Sequence, residues 1–394
     1  MARTEAAGLR RSLREIQSRQ GIRVTLDGRS LLNFSSNDYL GLAQHPALIE
    51  AAQRAAQDWG AGAGAARLVC GSLSVFHELE SAIADWKQCP AALSFSTGFA
   101  AALGTVPALV GSGDVVILDK RVHACCVDAA KLSGAKLRVF RHNDPADLER
   151  ILQWARKDPV PGNAPVRILI ITESVFSMDG DEAPLTSLVE LKERYGAWLM
   201  VDEAHAVGLY GARRSGLAEQ LGLTQRIEVH MGTLGKAVGA SGGYIAGSVA
   251  LRDHLLNQAR SFVFSTAPVP AAAAAALAGI QLIHSSEGAT RLERLQHHGD
   301  RLRGMIRSNY GTTAGTTEPR SAILPIIAGA ETTALEWSRR MRDDGFLVPA
   351  IRYPTVARGT ARLRVTLSAD HAESEVAALG QALVGLGRTE PVEP

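Results

Sequence analysis

Between residues 114 and 232, five short runs of apolar, largely β-branched residues alternate with amphipathic helical patterns. The runs read DVVILD (114–119), KLRVF (136–140), VRILIIT (166–172), AWLMVDE (197–203) and RIEVHMG (226–232). A strand that is apolar on both faces has to be covered on both faces, and intervening helices supply the crossovers that parallel strands need. The pattern predicts an α/β lobe with a mostly parallel sheet covered by helices. After an alanine-rich helical stretch near 268–283 the texture changes to a charged helix, AILPIIA, another helix, GFLVPAIR, ARLRVTLS and a last helix. That mixture predicts a smaller α+β lobe. A chain of 394 residues accommodates both. The expected division is an amino-terminal helix and segment over 1–45 packing on the small lobe, a large domain over 46–282 and a small domain over 283–394.

Charge and cysteine content narrow the possible partners. Lysine and arginine number 42 against 40 acidic residues, and no basic block interleaved with aromatics is present, so nucleic acid is not an expected partner. Four cysteines, Cys70, Cys89, Cys125 and Cys126, do not make a disulfide framework in so long a chain, which fits a reducing cytoplasm. The start, MARTEAAGLRRSLREIQ, lacks an apolar signal core. Leu9, Leu13 and Ile16 fall at helical spacing there and predict a docked amphipathic helix. The longest apolar stretch, APVPAAAAAALAGIQLI, is mostly alanine with two prolines and is too weak for a membrane span.

Ligands of open parallel sheets sit beyond the carboxyl ends of the strands, so the residues just after each run carry the functional information. Ser96-Thr97-Gly98 follows a short strand and opens an alanine-rich helix, where backbone N–H groups either hold a phosphate or are simply capped. VDEAHAVG ends a strand on Asp202 and places His205 three residues on. A helicase-like acidic box would need a G-x-x-x-x-G-K-[ST] loop upstream, which the chain lacks; a strand-end aspartate capping the next turn is the bland alternative. GAGAARLVCG fails as a dinucleotide fingerprint because Arg67 stands at the last glycine position, and it reads as a flexible loop near substrate. DKRVHACC puts His123 beside two thiols, which alone cannot complete a zinc site, so no metal is expected. In GTLGKAVGASGG (232–243), Lys236 sits among glycines and alanines with no carboxylate nearby in sequence. If buried, its amine becomes nucleophilic and able to form a Schiff base; if exposed, it is an ordinary loop lysine.

Taken in order, from NFSSNDYLGL (33–42) to ARLRVTLSADH (361–371), these elements resemble the α-oxoamine synthases, pyridoxal-phosphate enzymes of the aspartate aminotransferase fold. These enzymes join an amino acid to an acyl thioester with loss of carbon dioxide. The resemblance implies pyridoxal 5'-phosphate as cofactor, with Lys236 as its Schiff-base lysine. Asp202 would then pair with the pyridine nitrogen, His205 and Ser177 would bond the phenolic oxygen, and His123 would stack on the ring. Gly98, Phe99 and Thr233 would hold the cofactor near its phosphate. Ser265 and Thr266, in FSTAPVP, would reach the phosphate of a neighbouring subunit, which implies a homodimer. Asn37 and Arg364 would orient the amino-acid carboxylate, for which a guanidinium fork is suited. Arg10 and Thr355 would contact the acyl substrate.

The amino-terminal GLRR and the stretch IRYPTVARGTARLRVTLSADH are most similar to the branch that joins L-alanine to a pimeloyl group carried on coenzyme A or acyl carrier protein. Tyr353 stands where that branch more often has proline, and Tyr-Pro-Thr also resembles a sister branch that uses glycine. Cys125 stands where the family usually has serine. A non-catalytic cofactor-binding protein would need an appended module, for which the chain has no spare length.

Overall fold

The computed structural model describes residues 13–157, 166–310 and 321–386. These residues form two compact units. One holds the described residues up to Gln44, the excursion Ser177–Asp181 and those from Ala289 onward; the other holds His45–Phe176 and Glu182–Gly288. The excursion is not foreseen by the sequence reading, which draws a single boundary on each side of the large domain.

The first unit opens on a hairpin, β1 (Arg23–Leu26) and β2 (Arg29–Asn33). Its turn residues Asp27 and Gly28 both have positive φ, 51° and 71°, the left-handed pair that a two-residue hairpin turn needs. The helix expected over residues 9–16 is not present in its described part. Ile16 is instead extended and bridges Leu26, while Leu13 is fully exposed. Pairing with the hairpin competes with the helix there and wins, because an isolated helix of that length is marginal.

The large unit is built on a seven-stranded sheet, β3 (Ala91–Phe95), β4 (Val115–Asp119), β5 (Lys136–Phe140), β6 (Ile168–Glu173), β7 (Trp198–Asp202), β8 (Val229–Thr233) and β9 (Gly243–Gly247). Its order is β3-β9-β8-β7-β6-β4-β5. Neighbours from β8 through β5 are parallel, whereas β9 is antiparallel to both β3 and β8. The five predicted runs supply β4 to β8. β5 is mostly exposed because it lies at the sheet edge, whereas every residue of β4 and β6 is buried. Gly243 starts β9 against the first turn of the helix Gly98–Leu109; a Cβ there would lie 2.4 Å from the Gly98 amide nitrogen. That close approach seats the helix start directly on the sheet.

The remaining strands, β10 (Ile323–Gly329), β11 (Phe346–Leu347), β12 (Ala350–Ile351) and β13 (Ala361–Thr366), complete the first unit. They form two three-stranded sheets, β1-β2-β11 and β10-β13-β12. Phe34, just after β2, stacks on His371 with ring centroids 4.0 Å apart, and its carbonyl accepts from the Thr366 amide. The amino-terminal segment is thus part of the same unit as the last third of the chain.

Just past the end of β7 lies a buried ion pair that tests how the fold tolerates charge. Lys87 Nζ meets a Glu203 carboxylate oxygen and donates to the Ser215 carbonyl at 2.7 Å, and both side chains are essentially fully buried. Burial pushes the Glu203 carboxyl up, but Lys87 and then His230 outweigh it and hold the group down to about 2. A depressed carboxyl pKa stabilises the fold above its ordinary value of 4.5 and ceases to do so as the pH falls from there toward 2. Lys87→Met leaves Glu203 buried without its cation and is expected to cost about 3–5 kcal/mol. Denaturant unfolding at neutral pH checks the loss; a change below about 1 kcal/mol would mean that water or His230 replaces the lysine.

Candidate active site

In the large unit, the polar residues singled out from the sequence gather at the carboxyl ends of the strands. β7 ends on Asp202 and β8 on Thr233, and β3 runs through Ser96-Thr97 into the helix Gly98–Leu109. Lys236 lies in the turn that joins β8 to the antiparallel β9. The turn is fastened by Leu234 N–H to the Gly242 carbonyl (3.0 Å) and Ala240 N–H to the Leu234 carbonyl (2.9 Å). Thr233 Oγ1 donates to Gly242 O at 3.0 Å and accepts from Gly235 N–H at 3.2 Å.

Lys236 is half-buried, and its Nζ stands 2.7 Å from Nε2 of the buried His205. Two nitrogens at that distance share a hydrogen bond only if one of them lends a lone pair, so a doubly cationic pair is disfavoured. Asp202 sits close enough that the lysine's charge acts on it. Burial raises the Asp202 carboxyl, while the Lys236 charge and the Ala204 amide lower it, and burial prevails. Lys236 therefore has a carboxylate neighbour in space that its sequence surroundings do not contain. Asp202 Oδ1 accepts the Ala204 N–H at 2.9 Å, so the turn-capping role is real and occupies one carboxylate oxygen.

At the start of the helix Gly98–Leu109, Thr97 caps by accepting the Ala100 N–H at 3.0 Å. Gly98 lies against Thr233, with an added Cβ 3.7 Å from the threonine Cβ, and Phe99 is partly exposed beside it. Helix amides with little side-chain bulk around them have the chemistry to receive a phosphate. Together with a buried carboxylate and an amine, the donor set fits pyridoxal phosphate: anion acceptor at one end, carboxylate for a protonated ring nitrogen, lysine for attachment. His123 is exposed at the cap of the helix Ala124–Ser133 and accepts the Cys125 N–H at 3.3 Å. Cys125, Cys126 and Asp202 bring three ligand-type atoms within 4.8 Å of one another, so the structure adds a carboxylate to the two thiols that the sequence places together. Ser265 and Thr266 lie beside Ala66, which bridges Thr266.

The first unit holds a separate group. Arg364, on β13, is buried, and its Nε donates to the Ser177 carbonyl at 2.6 Å. Both of its terminal nitrogens donate to Asn37 Oδ1, at 3.1 and 3.2 Å, and one reaches Tyr39 Oη at 3.5 Å. All of these partners are neutral. Two residues earlier on the strand, the equally buried Arg362 is paired with Asp179. A buried guanidinium held by neutral groups has the charge and the planar fork that suit an external carboxylate.

Tyr39 joins this group and is absent from the sequence reading, although it stands in the same NDYLGL motif as Asn37. Thr355 is exposed, its amide donating to the Arg352 carbonyl at 3.0 Å. Arg10 lies outside the described residues. Arg67, expected on a flexible loop, is instead buried and locked: its guanidinium forks onto both Glu80 oxygens at 2.8 and 3.1 Å. Sequence spacing cannot reveal such a partner, because Glu80 belongs to the next helix.

The aminotransferase class I and II family model matches residues 29–383. The chain is 44% identical over 383 residues to an 8-amino-7-oxononanoate synthase of Pelobacter propionicus, covering 97% of this chain and 95% of the relative. The chain belongs to the aminotransferase class I and II family, with the 8-amino-7-oxononanoate synthases. A further family member, the 8-amino-7-oxononanoate synthase of Herminiimonas arsenicoxydans, is 45% identical over 387 residues, with 97% of each chain covered. Among solved structures, a serine palmitoyltransferase from S. paucimobilis with a bound PLP–myriocin aldimine superposes at a TM-score of 0.90. It is 27% identical, with 98% of this chain and 95% of that one covered. The two-lobed α/β architecture expected from the strand–helix alternation is the fold of this family.

Proposed function

We propose that the protein condenses L-alanine with a pimeloyl thioester to give 8-amino-7-oxononanoate, carbon dioxide and free thiol, a step of biotin synthesis, with pyridoxal phosphate as cofactor. The observation that carries the reading is the Lys236–His205 pair at 2.7 Å beside the buried Asp202. When bound, pyridoxal phosphate supplies an electron sink for negative charge developing at the amino acid's α-carbon.

Lys236 would be the attachment point and, once released, the base that takes the α-proton on Nζ. His205 supports both roles by holding Nζ in a hydrogen bond. Asp202 would take the ring nitrogen's N–H: burial makes its charge costly when unpaired, so a cationic partner there is favoured. His205 and Ser177 would also hold the phenolic oxygen, and His123 would cover the ring. Gly98, Phe99 and Thr233 would hold the phosphate end. Arg364 and Asn37 would fix the alanine carboxylate, and Arg10 and Thr355 would contact the acyl chain, carried on coenzyme A or acyl carrier protein.

A homodimer is part of the reading, with Ser265 and Thr266 reaching the neighbouring subunit's phosphate. Apolar side chains support it: Val69 (78% exposed) and Phe264 (71%), with Leu68 and Val269, flank the Ala66–Thr266 bridge. Exposed apolar groups of this size gathered around one polar segment mark an interaction surface. Among the described residues no helix is long and apolar enough to cross a membrane.

The test is thiol release by the purified protein with pyridoxal phosphate and pimeloyl-coenzyme A, supplied with alanine, glycine or serine. Alanine alone should support release. Release driven by glycine would assign the chain to a glycine-using synthase and make Tyr353 its marker. Release driven by serine would align it with the palmitoyltransferase seen among the structures, and either result would sink the alanine reading.

A further inference from the structure

Cys125 and Cys126 are adjacent thiols in the first turn of the ten-residue helix Ala124–Ser133. Cys125 Sγ lies 3.0 Å from His123 Nδ1 and 3.9 Å from Cys126 Sγ. At this second helical position the helix dipole favours a thiolate. Two neighbouring side chains, burial and one carboxylate act on it. The Cys126 S–H donates to the sulfur and lowers its pKa, burial raises it, and the His123 hydrogen bond lowers it again. The Asp202 charge raises it, and the balance brings the thiol down to about 6. His123 is pushed up, chiefly by its bond to Cys125, with Glu173 and Asp202 adding to the effect. Cys126, fully buried among apolar side chains, is pushed well up and keeps its proton, so it serves as the donor of the pair.

We propose that Cys125 is a peroxide-sensitive thiol, and that its oxidation disables the enzyme by displacing His123. The thiol proton passes to His123 Nδ1. The sulfur then attacks one oxygen of hydrogen peroxide: an S–O bond forms as the O–O bond breaks. Sulfur loses two electrons, and the departing hydroxide takes the proton back from His123 and leaves as water. The product is a sulfenic acid, which an added thiol reduces. A 3.0 Å N···S contact has no room for the new oxygen, so either the imidazole or the sulfenic side chain must move. The site of oxidation stands on this geometry alone; the loss of activity rests on the role proposed above for His123. Access is narrow because Cys125 is buried, which favours a reagent the size of peroxide over larger electrophiles.

The experiment treats the holoenzyme with hydrogen peroxide between pH 5 and 9. It traps sulfenic acid with dimedone, locates the adduct by peptide mass spectrometry, and follows turnover before and after dithiothreitol. For a thiol near 6, trapping at Cys125 should rise about tenfold from pH 5 to 7 and then stay flat, whereas an ordinary thiol rises about 25-fold from pH 7 to 9. Absolute speed at pH 7 discriminates less, since the roughly thirtyfold gain in thiolate is offset about tenfold by weaker nucleophilicity. Cys126→Ala should move the plateau to higher pH, and Cys125→Ser should abolish both the adduct and the reversible loss of turnover. An adduct confined to Cys70 or Cys89, or a Cys125 profile still rising at pH 9, overturns the proposal. A Cys125 adduct with turnover intact overturns the switch and speaks against the placement of His123, while leaving the alanine reaction to its own test.

Discussion

Lys236→Ala is expected to lower thiol release from alanine and pimeloyl-coenzyme A by at least about a thousandfold, because one change would remove both the proposed attachment point and the proposed base. The loss should not come from unfolding. Lys236 lies in a turn whose geometry is held by backbone bonds, from Leu234 to Gly242 and from Ala240 to Leu234, and not by its side chain. The variant should therefore melt close to the parent. Removing Nζ also takes away the partner of His205 Nε2 and a charge that lowers the Asp202 carboxyl, so Asp202 should titrate higher in the variant. The decisive readout is borohydride fixation followed by peptide mass spectrometry. The parent should carry the cofactor on the Lys236 peptide, and the variant should carry none while still binding cofactor without a covalent link. Undiminished turnover in Lys236→Ala would remove Lys236 from the mechanism.

The parts of the fold that can be read from the sequence are those where one local rule acts alone. β4, β6 and β7 are continuous apolar runs because helices cover both faces, and a run of that kind has few other readings. β9 was missed because GYIAG is short, glycine-flanked and contiguous with the loop of Lys236. Its strand character comes from pairing with β3 and β8 on either side, which no local pattern records. The hairpin of β1 and β2 carries a local signal of its own, since Asp27-Gly28 between RVTL and RSLLN is a strong turn pair.

The same division holds for the candidate site. Asp202, His205 and Lys236 announce themselves as polar residues at strand ends or among glycines, where packing does not call for them. What their sequence surroundings cannot give is distance: Lys236 and His205 are 31 positions apart and meet at 2.7 Å. Arg67 and Arg364 show the limit most clearly. Both are buried arginines, and nothing in their flanking residues says that one is neutralised by Glu80 and the other is held by neutral groups alone.

That difference makes Arg364 the second large expectation. Arg364→Met should raise the KM for alanine about a hundredfold, the worth of a charge-assisted fork of 2–3 kcal/mol, and leave the KM for the acyl thioester within about threefold. Arg364→Lys keeps the charge but loses the planar fork, and should fall between the two. A structural arginine would behave otherwise. Replacing Arg67, which is ion-paired to Glu80, leaves an uncompensated buried carboxylate, and such a change costs stability first. Arg364 has no carboxylate to orphan among the described residues. Its replacement gives up bonds to Asn37, Tyr39 and the Ser177 carbonyl but also relieves the burial of a charge held only by neutral groups. The melting temperature should therefore move little while alanine binding collapses. An Arg364→Met protein that binds alanine normally, or that loses stability as heavily as Arg67→Met, would make Arg364 a packing residue and leave the substrate carboxylate without a receptor in this unit.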